Sequence, residues 1–588
     1  MLLVLEAQEH RDTQALCALL MDSSFAVREA AALAFASVQD SASIPYLLDA
    51  LKDHDARVRS TAAFALGFIA DSSAIVDMAE LAILEQDTTV QRALLSASFL
   101  AIQRNDMLKD PNAILYFLDR NKGQDRVRAA DALRRLPDST LRAIAAEYLA
   151  LFENEPDKEV EAMLVRGLAR VGTPDALSLL QFSADADKPE VIIPNAIRTL
   201  GQVGDPMYDS LLFHWAGPGC IGQAALEALQ HREHLDPANC LSEAELTSDP
   251  MIRIALLGLV IRHGGEGPSA LEASKQLAAW ELAPASPYIA AALITAGSEM
   301  AAHFWSTEDR STQLMDTTIP SVQRQGTFQA MVKAERQAMM RSRYATREAQ
   351  YAGLHNLVST AIATQDAGLI CAVAELLVEE EPEVIGLLLP RGTEQVAMEP
   401  LHPIRDLEAF RLVSNALARR DALPPPMHGP PSFNHPIDTI KLRELPQGQR
   451  YRISTAKGEI IIATDVNECP GSSLAFDSLV TAGYYNGKAF HRMVPSFVVQ
   501  GGCPRGDGYG GMPWTLRTEI GRKLFTAGSV GLASAGRDTE SCQFFITHSA
   551  APHLDGRYTR FGEVVSGMDV VWQLQVGDVM SKVERANR

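Results

Sequence analysis

The stretch LKDHDARVRSTAAFALGFIAD, residues 51–71, sets Val58 and Arg59 at the head of a run rich in Ala and Leu. The same unit opens earlier, where Val27-Arg28 precedes EAAALAFASV. It continues at Val90, Val127-Arg128, Val160, Val191, Ile221, Ile252-Arg253, Ile289 and Val322. The intervals are 31, 32, 37, 33, 31, 30, 31, 37 and 33 residues, the period of a two-helix unit. In the second helix of the first unit, Val27, Ala31, Ala34, Phe35 and Val38 line one face. One hairpin cannot bury that face alone, so successive units must stack and share a continuous core. Alanine at many positions lets neighbouring helices approach closely. Asp22 and Asp55 place a carboxylate ahead of a helix, where the dipole favours it. Arg28, Arg59 and Arg128 are expected to reach acids of adjacent repeats; the plainer alternative is that water solvates them.

Working outward, the chain has 588 residues, enough for a repeat array plus a further domain. Its 47% hydrophobic and 21% charged residues are ordinary for a folded protein. A net charge of -20 argues against a nucleic-acid binder, because phosphate contacts need Lys and Arg. The acid is concentrated: from Gln447 onward 15 Lys+Arg face 13 Asp+Glu, so the residues before carry 38 against 60. The seven cysteines are scattered with no CxxC pair, which predicts buried thiols and neither a disulfide framework nor a metal site. No run reaches the roughly 18 apolar residues of a membrane span. Met1-Leu2-Leu3-Val4-Leu5 lacks a basic flank and meets Glu6 at once, so it does not read as a signal peptide. The expected compartment is the cytoplasm, with export the alternative if a leader was removed.

Residues 423–436, LPPPMHGPPSFNHP, hold six prolines and read as a semi-rigid linker. Beyond Pro436 the pattern changes. Tyr451–Thr455 alternates, meets a turn at Ala456-Lys457-Gly458, and Glu459–Thr464 returns as a second strand. A helix is expected over 474–485 and further strands over 497–500, 530–533, 543–547 and 559–565. Many short strands with glycine turns predict a closed antiparallel barrel with flanking helices. The expected organisation is an all-α solenoid over 1–422, a linker over 423–436 and a barrel domain over 437–588.

The repeat unit, with 51–71 as its best instance, resembles HEAT repeats over residues 1–330 and more loosely over 331–422. A tetratricopeptide array fits less well, because its aromatic pattern is missing. AFHRMVPSFVVQGGCPRGDGYGG, residues 489–511, and SAGRDTESCQFFITHSAAPHLDGRYTRFGEV, residues 534–564, resemble the two signature blocks of the cyclophilin-type peptidyl-prolyl cis/trans isomerases. That resemblance covers residues 447–583. It implies rotation about X-Pro bonds of protein clients, in support of protein folding. The solenoid would then dock clients or a protein partner. The rival expectation is a scaffold or chaperone that binds proline segments with little or no turnover.

Rotation about X-Pro crosses a barrier of ~18–20 kcal/mol set by amide resonance, and requires neither cofactor nor metal. The enzyme must hold the twisted amide better than either planar form. Arg492 is the expected donor: the resemblance has it bond the proline carbonyl and approach the imide nitrogen. Phe497, Phe545 and Leu554 would form the proline slot, with Val498 where Met is common. Gln500 and Gln543 would orient Arg492 and the substrate, and His491 would sit beside the ring. Ala533, Ser534 and Ala535 match the segment that pairs with the substrate backbone, Ser534 replacing the commoner Asn. His553 stands where Trp is frequent and Tyr558 where His is frequent, a form associated with bacterial members. Loss of the Trp bears on cyclosporin binding more than on catalysis. Strict strand alternation would put Phe497 and Gln500 on opposite faces, so a bulge or twist is required between them. Gly506–Gly511 contains a formal G-x-G-x-x-G, but Pro513 follows and a loop is expected, not a dinucleotide site. His231 and His234 lack a third ligand, so an interhelical loop is the better reading.

Overall fold

The computed structural model describes residues 2–281, 284–298, 307–424, 426 and 433–586. Helices fill the chain from Leu2 to Arg420 in alternating pairs. The residues that mark the sequence period open the second helix of each pair: Val27 in Phe25–Val38, Val58 in Ala56–Ile69, Val90 in Thr88–Arg104, Val160 in Lys158–Val171. Val191 is an exception, lying just ahead of the helix Ile193–Val203. The marked helices pack on one another, and Val58, Val90, Val127, Val160 and Ile252 are buried between them. Gly67 shows how close they come, since a Cβ there would stand 2.9 Å from Ala97 Cα.

Aspartates cap these helices: Asp55 accepts from the Arg57 N–H at 2.9 Å, and Asp87, Asp157 and Asp249 do the same for their own helices. Each such cap is worth about 1 kcal/mol. Asp22 also precedes its helix but stands two residues ahead of the cap. It accepts from the Ser24 N–H at 2.8 Å, and Ser24 is the cap residue of Phe25–Val38. Arg28 and Arg59 do tie adjacent repeats, to Asp53 at 2.7 Å and Glu85 at 2.9 Å. Arg128 does not: Arg126 fills that role with Glu155 at 2.7 Å, while Arg128 turns to Asp555 of the C-terminal domain.

That domain is a nine-stranded antiparallel sheet: β1 Arg450–Thr455, β2 Gly458–Thr464, β3 Lys488–Val494, β4 Val498–Gly501, β5 Ser529–Leu532, β6 Phe544–Thr547, β7 Arg560–Ser566, β8 Val579–Met580 and β9 Lys582–Ala586. Their order, β8-β3-β4-β6-β5-β7-β2-β1-β9, brings sequence neighbours β8 and β9 to the two ends of the sheet. Ser581 between them donates to the Ser454 carbonyl at 2.8 Å, so the barrel nearly closes. Tyr451, Phe476, Tyr485, Phe490, Phe544 and Phe561 fill its interior. The flanking helix runs Pro470–Thr481 and not 474–485, because Pro470 starts it and Gly483, at φ 69°, follows its end. β3, β8 and β9 were not expected from sequence.

The marked helices face the barrel one after another along the chain. Ser37 accepts from the Ile520 N–H, Glu159 from the Ala527 N–H, and Asp249 from Gln575. Further along, Tyr288 donates to the Gly506 carbonyl and Arg411 to the Ala535 carbonyl. The solenoid thus runs around the barrel, and its inner face is occupied by the chain's own C-terminal domain. Barrel loops even enter solenoid cores, Ile520 joining the N-terminal one and Ala550 the central one. Of the expected linker, residues 425 and 427–432 lie outside the described residues. Its end is docked: Arg517 lies over the Phe433 ring, Asn434 donates to the Pro513 carbonyl and His435 stacks on Trp514. The half-buried Arg166 bonds Asn195, the Ser496 carbonyl and Ser549 Oγ at 2.6, 3.0 and 3.1 Å. Arg166→Ala should destabilise both parts together by about 1.5–3 kcal/mol. In a urea titration the helical circular-dichroism signal and the NMR resonances of barrel methyl groups should shift in common; a shift in one alone would contradict this coupling.

Candidate functional site

Four side-chain positions line up across the sheet. β3, β4, β6 and β5 pair in the register Arg492↔Gln500, Gln500↔Phe545 and Phe545↔Gly531. Directly opposed strand residues point to one face, so Arg492, Gln500 and Phe545 stand side by side on the outside of the barrel. Val498, two residues before Gln500, shares that face. Phe497 lies outside β4, in the turn Val494–Phe497, where Ser496 takes a left-handed conformation at φ 60°. This turn, and not a bulge within the strand, brings Phe497 and Gln500 to one groove.

A relay holds the polar half of the row. Arg492 donates to Gln500 Oε1 at 3.3 Å, and Gln500 Nε2 to Gln543 Oε1 at 2.9 Å. Gln543 Nε2 in turn donates to the carbonyls of Gly508 and Gly510, at 2.9 and 2.7 Å. The glycine-rich loop is therefore a groove wall whose carbonyls anchor the relay. Arg492 is exposed, with its guanidinium held and still open to a ligand.

Beside the relay is an apolar slot, separate from the barrel core. Val498, Phe525, Phe545, Ala551 and Leu554 are buried in it, with Phe497, Ala533 and Tyr558 packed against them. Phe525 stacks on Phe545 with centroids 5.7 Å apart, and Tyr558 meets Phe545 edge-on at 6.2 Å. Phe525 and Ala551 were missed from sequence, since an isolated Phe or Ala looks like core. Gly531 was missed too, although a glycine inside a strand is itself a signal of close approach. A Cβ at Gly531 would fall inside the van der Waals envelope of the Phe545 ring.

The groove encloses a cavity of about 550 Å³ bordered by Arg492, Phe497, Val498, Gln500, Ala533, Ser534, Ala535, Gln543, Phe545, Leu554 and Tyr558, with His491 beside them. His553 is the exception among the expected binding residues. It lies behind Phe497, ring centroids 5.1 Å apart, and faces a different cavity with Asp131 and Arg135 of the solenoid. The other wall of the groove comes from the solenoid: Glu375, Ile404 and the segment 405–409 border the same cavity. Arg405 accepts from the Gly511 N–H at 2.9 Å through its carbonyl. No sequence signal pointed to these residues, because only the wrapping of the chain brings them here.

Burial pushes the His491 imidazole down to about 4, more than the nearby Asp507 carboxylate raises it. The side chain is therefore neutral at pH 7, and both ring nitrogens are buried with no hydrogen-bond partner among the described residues. The groove can hold an apolar ring in the slot and present a guanidinium to a carbonyl next to it.

Residues 450–587 match a family model described as cyclophilin type peptidyl-prolyl cis-trans isomerase/CLD, and residues 13–98 match one described as HEAT repeats. Peptidyl-prolyl cis-trans isomerase B of Bacillus subtilis is 45% identical over 116 residues, 19% of this chain and 81% of that protein. A peptidyl-prolyl cis-trans isomerase of Helicobacter pylori is 38% identical over 154 residues, 25% of this chain and 94% of that protein. One from Synechococcus elongatus is 40% identical over 134 residues, 22% of this chain and 92% of that protein.

Two outcomes test this geometry. Gly531→Ala should push the Phe545 ring out of place and weaken binding of proline peptides while the barrel stays folded; titration by NMR reads both, and unchanged affinity would refute the packing argument. In the folded protein His491 should take up its proton near pH 4, against roughly 6.5 in an unfolded chain. Its contribution to stability is therefore lost as pH falls through that window. A ring C–H titration midpoint near 6.5 would contradict the burial.

Proposed function

The chain belongs through its C-terminal domain to the cyclophilin-type peptidyl-prolyl cis-trans isomerases, and we propose that its turnover of X-Pro bonds runs on Arg492 beside the Phe545 slot. The proline ring enters the apolar slot of Phe497, Val498, Phe545 and Leu554. Burial there fixes the ring, so the acyl group on its far side is the part that turns. Arg492 bonds the proline carbonyl and comes up to the imide nitrogen. As the bond twists, that nitrogen loses its overlap with the carbonyl and becomes pyramidal, and its lone pair then accepts a hydrogen bond. Planar forms offer no such lone pair, so the donor is worth more to the twisted state, which is what lowers a barrier. Gln500 and Gln543 keep the guanidinium aimed, and the backbone of 533–535 holds the rest of the peptide. Neutral His491 contributes shape. The observation that carries this reading is the single cross-strand row of Arg492, Gln500 and Phe545.

The solenoid serves protein interaction by its outer layer, since its inner face is taken. Val76, Ile83, Leu84, Tyr116, Phe182 and Leu246 are exposed on the first helices of their pairs. Clients or a protein partner would dock there and gain a folding catalyst held close by. A second reading, a scaffold that holds proline segments without turning them over, has one observation in its favour. Arg411 already donates to the Ala535 carbonyl at 2.7 Å, within the segment expected to pair with substrate.

An isomerisation assay on proline peptides with the full chain separates the two. Turnover above background is expected, with Arg492→Ala lowering kcat/KM about 10²–10³-fold while peptide binding persists. Binding without acceleration in the unmodified chain would leave the scaffold reading. His491 should add no inflection to the rate between pH 6 and 8, because it takes up its proton near pH 4.

A further inference from the structure

The groove has two walls of different origin, and the solenoid wall is acidic. Charged side chains bordering the cavity are Glu375, Asp406 and Glu408 with Arg405 from the solenoid, and Arg492, Arg505 and Asp507 from the barrel. Most of them are already matched. Asp406 accepts from Arg405 and Arg505, each at 2.8 Å, and Asp507 from Arg505 at 3.1 Å. Arg492 is committed to Gln500 and to the substrate carbonyl. Two carboxylates are left over. Among the described residues Glu375 accepts only the neutral hydroxyl of Tyr509. Glu408, in the first turn of the helix Leu407–Arg420, has no hydrogen-bond or ion-pair partner among the described residues, and its side chain is exposed at the cavity edge.

We propose that Glu375 and Glu408 form a specificity wall, contributed by the solenoid, that selects proline segments carrying a Lys or Arg next to the isomerised bond. The inference rests on the isomerase reading above and deepens it by naming the substrate class. Three observations converge on it. The wall borders the same cavity as Arg492, Phe497 and Phe545, so a peptide seated in the slot must pass it. Glu408 senses the charges around it: burial first and then the Glu375 charge raise its pKa, and Arg492 lowers it. A cationic side chain placed between the acids would relieve that repulsion. Finally, the excess of acid lies in the region before Gln447, so the field around the groove also draws basic chains toward it.

The test uses the full chain and a set of proline peptides with one Lys, Ala or Glu at each of the two positions flanking the proline on either side. At low ionic strength the best Lys peptide should exceed its Glu counterpart about tenfold in kcat/KM. The ratio should shrink toward one in 0.5 M NaCl, with the preference carried by KM. Glu408→Gln, whose side chain has no partner to lose, should cut the ratio several-fold, and Glu408→Lys should reverse it. Glu375→Gln should act in the same direction, with circular dichroism confirming that the loss of the Tyr509 contact leaves the fold intact. Equal rates for Lys and Glu peptides in the unmodified chain would overturn the proposal while leaving the isomerase reading standing. A Lys preference that survives in both Gln variants would overturn it too. No turnover of any peptide would instead overturn the isomerase reading on which it rests.

Discussion

The turn Pro495-Ser496 is the point on which the groove depends. Ser496 holds a left-handed backbone that a side-chain-bearing residue adopts only when its surroundings enforce it. Those surroundings come from the solenoid. Ser496 donates its N–H to the Cys220 thiol at 3.2 Å, its carbonyl accepts from Arg166 at 3.0 Å, and the Pro495 carbonyl accepts from Arg198 at 2.8 Å. Three consecutive inner helices thus satisfy the backbone groups of one buried turn. Phe497, the next residue, is aimed into the slot by that turn, and its carbonyl accepts from the His548 N–H at 2.8 Å. Removing the solenoid would leave the Ser496 N–H and the Pro495 carbonyl without these partners, and only Ser549 Oγ, at 2.5 Å, would still hold the Ser496 carbonyl.

This arrangement changes what a repeat solenoid is for in this chain. Such arrays commonly present their inner surface as an open binding site. Here each marked helix spends its inward residues on the barrel, largely through guanidiniums and carboxylates that meet backbone groups. Backbone carbonyls and N–H groups on barrel loops need partners once covered, and the solenoid supplies them in chain order. The result is a catalytic groove with one wall from each part, so changes in repeat residues can reach the chemistry without touching Arg492.

On the proposed reading, rotation about an amide demands little chemistry of this site. A chain of amides from Arg492 through Gln500 and Gln543 ends on glycine carbonyls, and no proton has to move. Desolvation keeps His491 uncharged beside the guanidinium, which avoids a second positive charge in the row. Glycine at 531 matters as much as any functional group, because the Phe545 ring occupies the space of its missing side chain.

Much of this was legible from residue order. The 31-residue interval from Val27 to Val58 marks inner helices because apolar faces must stack, a local periodicity that survives folding unchanged. The barrel, its hairpin and the groove members Arg492, Phe497, Gln500, Gln543 and Phe545 were likewise readable, since two ordered blocks carry them. What tertiary structure alone decided are the relations between distant segments. Arg128 faces Asp555 and not a neighbouring repeat, His553 turns its back on the groove, and the proline-rich segment ends docked beside Trp514. Helix periodicity encodes which face is apolar but not what covers it. The sequence by itself determined a HEAT-type solenoid and a cyclophilin-type barrel. Only the closure of one around the other decided that Glu375 and Glu408 stand opposite Arg492, because their meeting depends on the accumulated curvature of the repeats and not on any local pattern.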